Sequence, residues 1–332
     1  MVTYKKTDMT LWKRKRLKDQ ATFDIDQFWS GRIKALEDYS SECSRQSGEL
    51  APMALIGFAT DEGVKRSAGR SGAAHGPLVI RRALANLAWH QKRDIYDAGD
   101  IWCEEEQLII AQSQLAGHVA HLLDIGLTPV ILGGGLEVGW ASYQGASRHV
   151  FAGSSDVSVG IVSLGARLAM SEADPQPNAQ SVFLQIAQYC KERNLDFPCY
   201  CLGLDEQVTS AGEFDRAEAY GVHWRLQQKC GEAFFPEIEQ EIRSFLSSLD
   251  YLYLSVSLDL FSIAAAPGVS APSVFGLDAR VGMGLLRLIL HEAQRAEVPL
   301  LLVDIAECNP LEDPDGRTAR LAAGLVYEIA KV

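Results

Sequence analysis

Short apolar runs alternate with longer amphipathic segments along most of the chain, and this alternation limits the fold more than any other feature. The runs are Met53–Phe58, Asp94–Ala98, Thr128–Leu132, Val157–Ser163, Cys199–Leu204, a weaker Val222–Arg225, Tyr251–Leu258 and Leu300–Ile305. Most are apolar on both faces, the mark of strands buried within a parallel sheet. Helical patterns lie between them, near Pro77–Trp89, Glu105–Ile125, Leu136–Ala146, Ala179–Arg193, Glu232–Ser247, Leu277–Ala296 and Thr318–Ile329. Pro77 suits the first turn of its helix. The alternation predicts an α/β chain with about eight mainly parallel strands and helices on both faces. No low-complexity linker or repeat divides residues 51–332, so they are expected to form a single domain. Residues 1–50 are polar with little sustained period and read as an N-terminal extension with up to two helices.

The formal net charge of −12 over 332 residues makes nucleic acid and anionic membrane surfaces poor partners. No apolar run approaches the ~20 residues that span a bilayer. Seven scattered cysteines do not suggest a disulfide framework, and a cytoplasmic location is expected. Cys199 and Cys201 flank Tyr200 and would share one strand face, as core packing. Lys5, Lys6, Lys13, Arg14, Lys15, Arg16 and Lys18 make a basic arm, read as a solvated leader, with targeting as the alternative.

Ligands of open parallel sheets bind beyond the C-terminal strand ends. The residues there are Gly133-Gly134-Gly135-Leu136-Glu137, then Leu164-Gly165-Ala166-Arg167-Leu168-Ala169, then Ser257-Leu258-Asp259 with Ala266-Pro267-Gly268-Val269-Ser270-Ala271-Pro272, and finally Glu307-Cys308-Asn309-Pro310. A glycine run alone often marks only a tight strand-to-helix turn. Taken in order, with Asp61-Glu62-Gly63-Val64, Gly69-Arg70-Ser71-Gly72-Ala73 and Gly76-Pro77 before them and Thr318–Ala323 after, the chain resembles the ureohydrolases: arginases, agmatinases and formimidoylglutamases. The resemblance runs from about Ala54 to Tyr327 and is nearest the formimidoylglutamase branch. It implies a three-layer arginase-type fold, self-association as a trimer or hexamer, and hydrolysis of a C–N bond in a linear amidine at two Mn²⁺ ions.

The resemblance also locates the family's ligands. Its histidine falls on Leu136, its Asp-x-His-x-Asp loop on Gly165, Arg167 and Ala169, and its Asp-x-Asp strand end on Ser257 and Asp259. Only Asp259 remains a good ligand. Leu136, Gly165 and Ala169 offer no side-chain donor, Ser257 is a poor one, and the guanidinium of Arg167 repels a cation. A bound metal brings the pKa of water down to about 7, and nothing in the sequence replaces that effect. The expectation is therefore a metal-free pseudoenzyme with no cofactor and no assigned catalytic residue, acting in binding or regulation. The alternative is an active ureohydrolase with non-standard ligands.

Arg167, Ser257, Asp259 and Glu307 are the candidate ligand-binding residues. The family glutamate matching Glu307 recognises the amidine or guanidine end of the substrate, so a small amino-acid-like ligand is the expected guest. Arg167 is expected to pair with Asp259 as a fork-shaped counter-ion. His75 reads as structural or solvated, and Asp205 and Asp304 read as caps of the turns after their strands.

Overall fold

The computed structural model describes residues 1–13, 25–40, 50–153, 156–173 and 176–332. Arg14, Lys15, Arg16 and Lys18 of the basic arm lie outside these residues, as does Cys43.

The sheet contains β1 (Val2–Lys5), β2 (Lys34–Ala35), β3 (Met53–Ala59), β4 (Ile95–Cys103), β5 (Thr128–Leu132), β6 (Val159–Leu164), β7 (Cys199–Leu204), β8 (His223–Leu226), β9 (Tyr251–Ser257) and β10 (Leu300–Ala306). Their order is β1-β4-β3-β5-β10-β9-β6-β7-β8, with β2 also on β4. Every pairing is parallel except β1 with β4. All residues of β3, β6 and β7 are buried, which is why their runs show no polar alternation.

The helices are α1 (Trp29–Arg32), α2 (Glu62–Arg66), α3 (Gly76–Leu84), α4 (Leu108–Asp124), α5 (Val138–Val150), α6 (Val182–Arg193), α7 (Ala211–Ala219), α8 (Phe235–Leu246), α9 (Ala279–Arg295) and α10 (Arg317–Ile329). Two apolar clusters flank the sheet. Ile80, Ile242, Leu286 and Val326 join α3, α8, α9 and α10 to one. Leu115, Ala141, Ile186 and Ala217 join α4 to α7 to the other. The result is the three-layer α/β arrangement expected from the alternation. Among the described residues, no helix is long and apolar enough to cross a membrane.

Three local differences have physical causes. The extension supplies two short strands, because the edge of β4 offers backbone partners to residues with no apolar period. The helix α7 falls in a polar stretch, but Ser210 and Glu213 form a reciprocal capping box at its start, a signal visible in the sequence. The strand β4 extends past Ala98 to Cys103, through Gly99 and Asp100.

That polar half of β4 is held by Arg81, whose side chain is 1 % exposed. Its Nε donates to Asp97 Oδ2 (2.8 Å), its Nη2 to Asp97 Oδ1 (3.0 Å) and its Nη1 to Asp100 Oδ1 (2.6 Å). Trp12 Nε1 also donates to Asp97 Oδ2 (2.7 Å), which fastens the N-terminal segment to the same carboxylate. The described cysteines are free, and Cys199 and Cys201 are buried with their sulfurs 3.9 Å apart. Asp205 caps as expected, accepting from the Gln207 N–H (3.0 Å). Asp304 does not cap a turn. Inside β10 it accepts from Ser255 Oγ (2.7 Å) and from the Tyr253 hydroxyl.

Arg81→Met leaves two carboxylates without their buried cation, and it is expected to lower the unfolding free energy by about 3–5 kcal/mol in urea titrations. Burial pushes the Asp304 carboxyl up to about 6. The folded state thus keeps a proton that the unfolded chain releases near pH ~4, so stability falls as pH rises from about 4 to about 6. Asp304→Asn cannot ionise, and it should gain on the parent by up to ~3 kcal/mol across that window in unfolding titrations at pH 4 and pH 7.

Candidate functional site

The four central strands β5, β10, β9 and β6 lie side by side, and the loops at their C-terminal ends meet over one cleft. The cleft is narrow and part-open to solvent, and Leu136, Arg167, Asp259, Ser270 and Glu307 are among its walls. Four separate loops of the sequence therefore converge as expected.

Glu307 organises the floor. Its Oε1 accepts from the Leu136 N–H (3.1 Å) and its Oε2 from the Ser270 N–H (3.2 Å), while its own N–H donates to the Gly134 carbonyl (2.8 Å). Its backbone is left-handed at φ 73°, an uncommon conformation for a residue with a side chain. Ala169, in the loop after β6, is also left-handed at φ 51°. Gly134 is required where it stands, because a Cβ there would sit 1.7 Å from the Thr60 carbonyl oxygen.

Burial pushes the Glu307 carboxyl above its ordinary range, and the nearby charge of Asp259 adds to the shift. Glu137 lies behind the floor. Its Oε1 accepts from the Gly63 N–H (3.1 Å), and its Oε2 has no partner among the described residues. Burial, reinforced by the Glu307 charge, pushes it up to about 8. Glu137 appeared in the sequence only as the end of the glycine motif, and burial is what sets it apart.

Asp259 is buried, and its Oδ1 accepts from the Ala166 N–H (3.2 Å). The expected fork with Arg167 is not formed. Arg167 Nε stands 4.0 Å from Asp259 Oδ2, a loose ionic contact beyond hydrogen-bond reach. Ser257 faces Gly165, where a Cβ would lie 3.3 Å from its own, and its buried Oγ has no partner among the described residues. His75 stands outside this cleft, edge-on to Trp102 with ring centroids 6.1 Å apart.

A pair of divalent ions needs several oxygen or imidazole donors. Leu136 and Ala169 present carbon, Gly165 has no side chain, and Arg167 presents a cation. Among the described residues, no three His, Cys, Asp or Glu side chains gather in a way that could hold a metal. The side chains present do not fit a two-ion centre of the family's pattern. Asp259 and Glu307 do form an acidic floor, which is suited to a small cationic hydrogen-bond donor.

The Arginase family model matches residues 51–331. A formimidoylglutamase of Aromatoleum aromaticum is 39% identical over 317 residues, covering 91% of each chain. One from Aeromonas hydrophila is 38% identical over 332 residues, covering 100% of each. The crystal structure of formimidoylglutamase from Bacillus subtilis superposes with a TM-score of 0.77 at 19% identity, covering 95% of each chain. Trypanosoma cruzi formiminoglutamase, solved with Mn²⁺, gives 0.72 at 22% identity, covering 87% of this chain and 95% of that one.

These relatives overturn two expectations. The reading as a non-catalytic, metal-free pseudoenzyme gives way to similarity with formimidoylglutamases along the whole length. Missing donors at Leu136, Gly165, Arg167, Ala169 and Ser257 exclude one way of building a site, and do not exclude hydrolysis by other groups. The expectation of no cofactor is corrected too, since a neighbour of this fold is solved with manganese.

Restoring donors tests the correspondence of positions. A variant carrying Leu136→His, Gly165→Asp, Arg167→His, Ala169→Asp and Ser257→Asp is expected to bind two equivalents of Mn²⁺ more tightly than the parent in calorimetric titration. Equal affinity of the two proteins would show that these positions do not point into a common cavity.

Proposed function

The chain belongs to the arginase family, and we propose from that premise that it is a formimidoylglutamase-type hydrolase, cleaving a C–N bond of a linear amidine with a donor set that departs from the family's. The observation that carries this reading is the buried acidic floor of Asp259 and Glu307, within a chain that matches formimidoylglutamases end to end.

An amidinium is a flat cation with several N–H donors. Buried carboxylates bind such a group strongly, because charge-assisted hydrogen bonds strengthen where water is excluded. In this reading Asp259 and Glu307 receive the amidinium, Ser257 offers its unpartnered hydroxyl, and Arg167 stands at the rim. Burial and, after it, the charge of Asp259 raise the Glu307 carboxyl, and a bound cation favours its ionised form. We read residues 51–332 as one catalytic unit, to which the described N-terminal residues are fastened through β1, β2 and Trp12. Self-association as a trimer or hexamer is the assembly proposed.

Release of formamide from N-formimidoylglutamate by the purified protein, with and without added Mn²⁺, is the direct test. Glu307→Gln is expected to lower kcat/KM by about 30- to 150-fold, since it removes a charge-assisted contact worth roughly 2–3 kcal/mol. Absence of formamide under both conditions would reject the hydrolase reading.

A further inference from the structure

A second cavity lies at the other end of the strands. It is a groove of about 350 Å³ at the N-terminal ends of β5 and β10, where Thr128, Leu290, Ala293, Val298 and Leu300 are among its walls. Arg93, just before β4, lines it too and is only 8 % exposed. Among the described residues its guanidinium pairs with no carboxylate. Its Nη2 donates to the Val332 carbonyl, and its buried Nε has no partner. Burial acts on this group unopposed and pushes it down to about 10. Arg81, likewise buried, shows the usual remedy, since Asp97 and Asp100 stand against it.

We propose that this groove is a binding site for a small monocarboxylate with an apolar tail, whose charged end Arg93 receives. The site is separate from the cleft and does not depend on the amidine reading. A buried cation without a counter-ion is costly, and a ligand carboxylate supplies the missing charge. The planar guanidinium matches a carboxylate in shape as well as in sign. The walls select the rest of the ligand. Leu290, Ala293, Val298 and Leu300 offer aliphatic surface, which rewards a hydrocarbon tail and gives little to a bare anion. Inorganic phosphate suits the groove less well. It carries more charge and no apolar surface, and it would meet one guanidinium with the exposed Glu297 opposing it in the same walls.

The test titrates hexanoate, hexanamide and acetate calorimetrically into the parent protein, Arg93→Met and Arg167→Met. Hexanamide keeps the tail without the charge, and acetate keeps the charge without the tail. The parent is expected to bind hexanoate roughly ten- to a hundred-fold more tightly than hexanamide, and at least about ten-fold more tightly than acetate. Arg93→Met should lose the preference for the acid over the amide. Arg167→Met, altered at the opposite end of the strands, should keep it, which places the acid in this groove and not in the cleft. Thermal melts establish that each variant is folded. Should Arg93→Met not fold, the three probes on the parent and on Arg167→Met decide the matter. Failure of hexanoate to bind, equal affinity for hexanoate and hexanamide, equal affinity for hexanoate and acetate, a preference that survives in Arg93→Met, or one that disappears in Arg167→Met would each overturn the site.

Discussion

Three strand ends are joined through a single carboxylate. Glu307 accepts backbone N–H groups from the loop after β5 and from the loop beyond β9, while standing at the end of β10. A buried carboxylate is costly unless such donors surround it, and the loops can supply them only when they are correctly placed. The left-handed backbone at Glu307 stores strain that these contacts hold in place. The shape of the cleft, the orientation of Leu136 and the approach to Asp259 all depend on this arrangement.

The layer architecture was legible because buried parallel strands and amphipathic helices leave different periods in a sequence. β3, β5, β6, β7, β9 and β10 fall close to their apolar runs. The strands that escaped notice are held by tertiary contacts instead. β1 and β2 have no apolar period of their own, and β4 past Ala98 carries Asp100, which makes sense only beside Arg81. Pattern reading cannot see a buried ion-pair cluster whose members come from separate elements.

The site was legible as an assembly of loops and less legible as chemistry. Arg167, Asp259 and Glu307 meet as their strand-end positions implied. The pairing of Arg167 with Asp259 was drawn too tightly: the guanidinium stands 4.0 Å from Asp259 Oδ2, and strand-end positions in a sequence do not carry distances of that kind. Glu137 gave no distinctive signal, since its behaviour comes from burial and from the charge of Glu307. The inference from lost ligands to lost activity failed for a different reason. It treated one means of activating water as the only one, and the full-length likeness to formimidoylglutamases weighs against that step.

The covering of β4 bears on how molecules of this protein behave when crowded. Val2–Lys5 pair with Asp100–Cys103, and Lys34 and Ala35 pair with Tyr96 and Asp97. Two short pieces of chain thus share the outer flank of a long strand whose open N–H and C=O groups would otherwise attract the same groups on another molecule. The indole of Trp12, tied to Asp97, keeps this guard in position. Clipping the first residues would leave the cleft untouched and expose an adhesive border, so the harm from proteolysis at this end would appear as clumping rather than as a change in turnover.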